Sequence, residues 1–186
     1  MNTVSNEIIN GCKKQDRRSQ QLLYEHCFPD MVRLCQWYST DMDAAAALYN
    51  AAMLKVFTSI KQCKDSETLM PWVRRIVVNT AIDHCRSSFK ETVYPVDIQE
   101  TQDVFVDPDI YNKISAEECM RMIRELPVNA SLVFNLFVME GYKHEEISRL
   151  LNIPVGTSKW QLNEARKLLK QKLKVVNQTK SYSNVS

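Results

Sequence analysis

Near its C-terminus the chain runs His144-Glu145-Glu146-Ile147-Ser148-Arg149-Leu150-Leu151, then Asn152-Ile153-Pro154-Val155-Gly156, then Thr157-Ser158-Lys159-Trp160-Gln161-Leu162-Asn163-Glu164-Ala165-Arg166-Lys167-Leu168-Leu169-Lys170. The first of these segments predicts a short helix burying Ile147, Leu150 and Leu151. Gly141 ends the helix before it, and residues 152–156 make a tight turn. Thr157 or Ser158 caps the next helix by accepting a backbone N–H, and that helix runs through Leu162, Ala165, Leu169 and Leu173. At ~100° per residue, Leu162, Ala165 and Leu169 fall within about 60° of one another and form its buried stripe. A short helix, a brief turn and a longer basic helix make a helix-turn-helix.

A second stripe on the longer helix holds Lys159, Asn163, Arg166 and Lys170, at i, i+4, i+7 and i+11. From Gly156 to Lys174 there are six basic residues against the single Glu164. Cations and an amide at this spacing can reach phosphates or base edges if the helix enters a major groove. The plain alternative is a solvated amphipathic helix. Trp160 weighs against it, because it lies roughly 170° from the buried stripe on the same wheel, and an exposed tryptophan usually marks an interface.

Upstream, Pro127 breaks the chain after a helix carrying Cys119, Met122, Ile123 and Leu126 on one face, and a second apolar helix runs from about Ala130 to Met139. Between residues 16 and 60 the pattern predicts three helices: one ending near Cys27, one opened by Pro29, and one from Asp43 to Ile60. The last of these buries Tyr49, Ala52, Met53, Val56 and Ile60. Its other side, with Ala44, Ala47, Leu48, Ala51, Leu54 and Lys55, is small and apolar where a surface helix is normally charged. Either a partner protein covers that side or the helix is internal. From Pro71 to Arg86 a further helix has Val73, Ile76, Val77, Thr80 and Ala81 as its core stripe, with Trp72, Arg75, Asn79 and Arg86 on another face beside Asp83. An aromatic interleaved with cations and an amide suits single-stranded nucleic acid. The same pattern also fits a core tryptophan flanked by solvated arginines.

Composition narrows the class. The chain has 186 residues, 25% charged and 45% hydrophobic, with three glycines and six prolines, which excludes collagen-like and low-complexity chains. No apolar run approaches the ~18 residues of a membrane span, and Met1 to Gly11 lacks a signal-peptide pattern, so the expectation is a cytoplasmic protein with no membrane insertion. The six cysteines form no CxxC, which favours free buried thiols over a disulfide framework or a metal site. No nucleophile–base arrangement, paired catalytic carboxylates or ligand spacing points to an enzyme, so no catalytic residue, metal or cofactor is expected. The net charge of +2 conceals a series. Residues 1–86 carry 11 basic and 9 acidic side chains, residues 87–112 carry 1 and 6, and residues 113–186 carry 12 and 7. The middle piece, with two prolines and no helical period, reads as an extended acidic linker.

Taken in order, Trp72-Val73-Arg74-Arg75-Ile76-Val77-Val78-Asn79-Thr80-Ala81-Ile82-Asp83-His84, the acidic linker, Leu126-Pro127, Gly141-Tyr142 and Gly156-Thr157-Ser158-Lys159 resemble the extracytoplasmic-function sigma factors of bacterial RNA polymerase. The resemblance spans roughly residues 5 to 175. It implies an all-α fold of two small helical domains, a region 2-like bundle over 1–88 and a region 4-like helix-turn-helix over 113–175. These would be joined by the linker at 89–112 and followed by a disordered tail at 176–186. By the same resemblance the protein binds core polymerase and directs transcription initiation from a promoter.

Residue by residue, the resemblance assigns capture of a flipped −10 base to the loop Lys61 to Met70, including Lys64, and to Trp72, Arg75, Asn79 and Arg86. It assigns −35 duplex reading to Thr157, Ser158, Lys159, Trp160, Gln161, Asn163, Arg166 and Lys170. Core polymerase binding falls to Ala47, Leu48, Asn50, Ala51, Leu54 and Lys55. The implied partners are the β′ coiled coil and β flap of polymerase, promoter DNA and an anti-sigma factor, with the acidic linker threading the RNA channel. The chain departs from the family pattern in having Ala46, Ala47 and Ala51 where acidic residues are usual, and Trp160 and Glu164 where small or basic residues are usual. The alternative is a degenerate sigma-like DNA-binding regulator or interaction module that does not engage polymerase productively.

Overall fold

In a computed structural model of the chain, residues 4–86 and 115–183 are described, with side chains as far as residue 175 in the last helix. Their regular structure is helical. The chain divides into two units, residues 1–84 and 85–186.

In the first unit, Ser5, Asp16 and Asp41 each accept a backbone N–H at a helix start, and so set the beginnings of α1 (Asn6–Lys13), α2 (Arg17–Gln36) and α3 (Met42–Ser59). A short 3-10 turn, Ile60–Gln62, leads to α4 (Ser66–Cys85). There Asp65 takes the Thr68 N–H at 2.9 Å, and the Ser66 N–H reaches Asn6 Oδ1 at 2.9 Å. Gly11 permits α1 to lie close on α2, since a Cβ there would come within 2.0 Å of Ser19 Oγ. Leu23, Cys27, Tyr49, Ala52, Val56, Val73, Val77 and Ala81 are fully enclosed. The Tyr49 ring stands 4.9 Å from Tyr24 and edge-on to Phe28 at 5.4 Å, and its hydroxyl donates to the Tyr24 carbonyl at 2.6 Å.

In the second unit, Ser115 and Glu118 cap α5 (Ala116–Arg124) reciprocally, each side chain accepting the other residue's N–H, at 3.2 and 3.0 Å. Pro127 precedes α6 (Val128–Phe134), which widens into a π-helical turn, Asn135–Met139, and is closed by Gly141 at φ +74°. Then follow α7 (His144–Leu151) and α8 (Val155–Ser183), with Lys172 of α8 paired to Glu125 at 2.5 Å.

Several expectations change. Pro29 does not open a helix but lies inside α2, and Pro71 lies inside α4, which begins earlier, at Ser66. A proline in a helix interior costs about 3 kcal/mol, through one lost i→i−4 bond and the clash of its ring with the preceding turn. Both stand on exposed surface, where water can serve the freed carbonyl, and buried side chains continue on either side: Cys27 and Met31 around Pro29, Leu69 and Val73 around Pro71. The tail expected to be disordered from residue 176 is helical as far as Ser183, since no Gly or Pro interrupts α8 after Gly156. Cys12, Cys27, Cys35 and Cys63 are buried, but Cys85 is half-buried and Cys119 is exposed, so the latter leaves the expected stripe of α5. Burial pushes the thiols of Cys27 and Cys35 up to about 12, which leaves them unreactive. The expected acidic linker lies outside the described residues.

Candidate nucleic-acid interface

The helix-turn-helix of the second unit is built by local hydrogen bonding. Glu146 accepts the Lys143 N–H at 2.8 Å and starts α7. Asn152, in the left-handed region at φ 55°, ends it, so the turn depends on an asparagine rather than on Gly156, which lies in the first turn of α8. Ser148 ties the turn to the helix. Its hydroxyl donates to the Ile153 carbonyl at 2.6 Å while its own carbonyl accepts the Ile153 N–H at 3.1 Å.

Because α8 begins at Val155, Thr157 and Ser158 are helical residues and not its cap. Ser158 is fully buried, its hydroxyl sharing a hydrogen bond with His144 Nδ1 at 2.9 Å. Gln161, one turn on, is 3% exposed. These two leave the set expected to touch DNA, because both are enclosed, as are Leu162 and Ala165, and a duplex cannot reach a side chain buried in the fold. Leu150 and Leu169, expected in the core, are half-buried, as is Trp160.

Lys159 and Arg166 are exposed, seven residues apart and therefore about 10.5 Å apart along one face of α8. Thr157, Asn163 and Lys170 are half-buried around them, and Glu164 lies 4.0 Å from Lys167. The Arg166 guanidinium sits 6.0 Å from the centroid of Phe137, whose ring stacks on His144 at 4.6 Å. Burial, then the nearby charges of Lys159 and Arg166, hold the His144 pKa below its ordinary value against the opposing pull of Glu145. Phe137 had no place in the sequence reading except as one member of an apolar run, and no local pattern marks it out.

The first unit offers two further surfaces. On α4, Arg75 and Asn79 are exposed, as are Lys64 before it and Arg86 just after it, while Trp72 is half-buried. A groove of about 460 Å³, lined by Trp37, Met70, Pro71, Arg33 and Arg74 among others, opens between α2 and α4. The sequence reading gave Trp37, Arg33 and Arg74 no role, because residues on separate helices show no shared spacing. On α3, Ala47, Asn50, Ala51, Leu54 and Lys55 are exposed, with Leu54 at 66%. Leu48 is buried and drops out of the expected polymerase-contact set, since its face of α3 turns toward the core with Ala45 and Ala52. Asn50 Oδ1 accepts the Tyr24 hydroxyl at 2.7 Å, and Lys55 pairs with Asp83 of α4 at 2.9 Å. Among the described residues no group of His, Cys, Asp and Glu is placed to hold a metal ion, and no helix is long and apolar enough to cross a membrane.

Residues 23–90 match the family described as Sigma-70 region 2, and residues 116–169 match Sigma-70, region 4. Together the two matches span about two-thirds of the chain. RNA polymerase sigma factor SigV of Bacillus subtilis is 27% identical over 149 residues, covering 77% of this chain and 84% of that protein. The ECF RNA polymerase sigma-E factor of Haemophilus influenzae is 26% identical over 178 residues, covering 89% and 93%. ECF RNA polymerase sigma factor SigM of Mycobacterium tuberculosis is 27% identical over 173 residues, covering 92% and 85%. A solved sigma factor, RpoE of Bartonella quintana in complex with the anti-sigma factor NepR, is similar at a TM-score of 0.46 and 17% identity, over 83% of this chain and 96% of that one. The chain belongs to the extracytoplasmic-function sigma factors, non-enzymatic subunits that direct RNA polymerase to promoters, and carries sigma-70 regions 2 and 4 in that order.

Proposed function

We propose that the two units divide promoter recognition between duplex and opened strand. The α8 face with Lys159 and Arg166 at its centre, flanked by Thr157, Trp160, Asn163 and Lys170, reads the −35 element in the major groove. Lys64, Trp72, Arg75, Asn79 and Arg86 capture a flipped −10 base, which costs a few kcal/mol of lost stacking that phosphate contacts must offset. Ala47, Asn50, Ala51, Leu54 and Lys55 meet the β′ coiled coil by a largely apolar contact, and exposed Val128 and Val138 suit the β flap. The work is cytoplasmic, and an anti-sigma factor holds the chain inactive by covering the same apolar and basic surfaces.

The observation that carries the duplex reading is the sorting of side chains along one helix. Ser158 and Gln161 are enclosed, while the cations two turns apart remain exposed. The buried Ser158 hydroxyl, bonded to His144, fixes the helix against its neighbour, and the exposed cations are left for phosphate and base edges.

Purified protein mixed with core RNA polymerase should form a complex and yield a run-off transcript from a matching promoter. Duplex binding without core binding or transcript would instead favour the sigma-like regulator.

A further inference from the structure

Arg166 is an exposed arginine, and such a side chain normally samples many rotamers that must be frozen when it meets a ligand. Here the surroundings restrict it. The guanidinium lies at 6.0 Å from the Phe137 centroid, within reach of the ring quadrupole. Phe137 is itself set by the π-helical turn Asn135–Met139, whose extra residue per turn re-aims the side chains that an α-helix would present, and its ring stacks on His144 at an interplanar angle of 26°. His144 is anchored in turn by the buried hydroxyl of Ser158, in α8 itself. The column therefore begins and ends on the recognition helix, and passes through a residue of α6's π turn and the first residue of α7.

We propose that Phe137 is a positioning residue for duplex recognition: its ring, braced by His144, holds the Arg166 guanidinium in the orientation in which it meets DNA. This rests on the duplex-reading role of α8 proposed above. Phe137 touches no DNA in this scheme. It lowers the ordering cost of Arg166, so its contribution exists only while Arg166 is present.

That dependence supplies the test. The probe is a labelled duplex selected from a random-sequence pool by the wild-type full chain, with affinity measured over a range of salt. Arg166→Ala should weaken binding and reduce the salt slope by about one. Phe137→Leu should weaken binding about two- to fivefold in the wild-type background and leave the Arg166→Ala chain unchanged. Phe137→Tyr, which keeps the ring, should bind as wild type. If Phe137→Leu loses helix content, Phe137→Met is the second ringless variant. A loss of equal size in both backgrounds, or no loss in either, overturns the positioning role. If Arg166→Ala leaves both affinity and slope unchanged, the α8 reading itself fails, a result distinct from the failure of Phe137 alone.

Discussion

The two units bury different kinds of side chain. In the first, apart from the Tyr49 hydroxyl bonded to the Tyr24 carbonyl of α2, the enclosed polar side chain among the described residues is Thr80, whose hydroxyl donates to the Ile76 carbonyl one turn back in its own helix at 2.7 Å. In the second, Asn135, Ser158 and Gln161 are all enclosed, and Ser158 bonds across to another helix. An apolar core is non-directional and tolerates small displacements, whereas a hydrogen bond between helices fixes both their separation and their rotation. The unit that places a recognition helix is the one that encloses more of these polar side chains. The first unit leaves Arg75, Asn79, Leu54 and Lys55 on exposed faces around an aromatic and aliphatic centre.

The harshest way to break this contrast is in the first core. Tyr49→Ala removes a ring packed on Tyr24 and Phe28 and should cost about 3–5 kcal/mol, the range for buried aromatic truncation. Hydrogen exchange should show the loss in α1 to α4, with α5 to α8 unaffected. Equal loss in both units would mean that they do not unfold independently.

Next in size, Ser158→Val should cost about 1–3 kcal/mol, because it strands the Nδ1 of His144 beside a methyl group. Thr80→Val should cost less, about 0.5–1.5 kcal/mol, since the Ile76 carbonyl keeps its helical partner. Urea denaturation of the two variants compares them directly. A larger loss at Thr80 would erase the distinction drawn between the cores.

A smaller difference is expected in response to acid. The folded pKa of His144 lies below its ordinary value, so the folded second unit binds that proton less readily than the unfolded chain. Above about pH 6.5 both states are neutral and nothing is lost. As pH falls below that value the unfolded state gains the proton first, and stability declines until the folded pKa is passed. Melting curves between pH 7 and 5 should therefore show a decline in the second unit that His144→Gln removes. A decline that persists in the variant would assign the titration elsewhere.

The least effect belongs to the surface pairs. Lys172→Ala breaks the pair with Glu125, and Lys55→Ala the pair with Asp83, and each should change stability by less than about 1 kcal/mol. A larger loss at Lys172 would make the α5–α8 contact a structural tie rather than a solvated pair.

Much of this architecture is legible in the residue pattern. The stripe Tyr49, Ala52, Met53, Val56 and Ile60 is buried as its spacing predicts, and so are Ile147, Leu151, Leu162 and Ala165. Other features are not legible. Pro29 carries a helix-opening signal that lost to a buried stripe continuing on both sides of it. Leu48 looks exposed when α3 is read alone, because a wheel cannot say how wide an arc the neighbouring helix will cover. Asn152 rather than Gly156 makes the left-handed turn, since either residue tolerates that conformation and the choice depends on where α8 begins.

Sequence by itself determined the helical class, the helix-turn-helix and the family, because amphipathic period, breakers and spacing are properties of neighbours along the chain. Tertiary structure alone decided which polar residues of α8 serve the fold and which remain exposed to solvent. Ser158 and Lys159 are adjacent, and both can make hydrogen bonds. Only the position of His144 on another helix gives Ser158 a partner inside and leaves Lys159 in water.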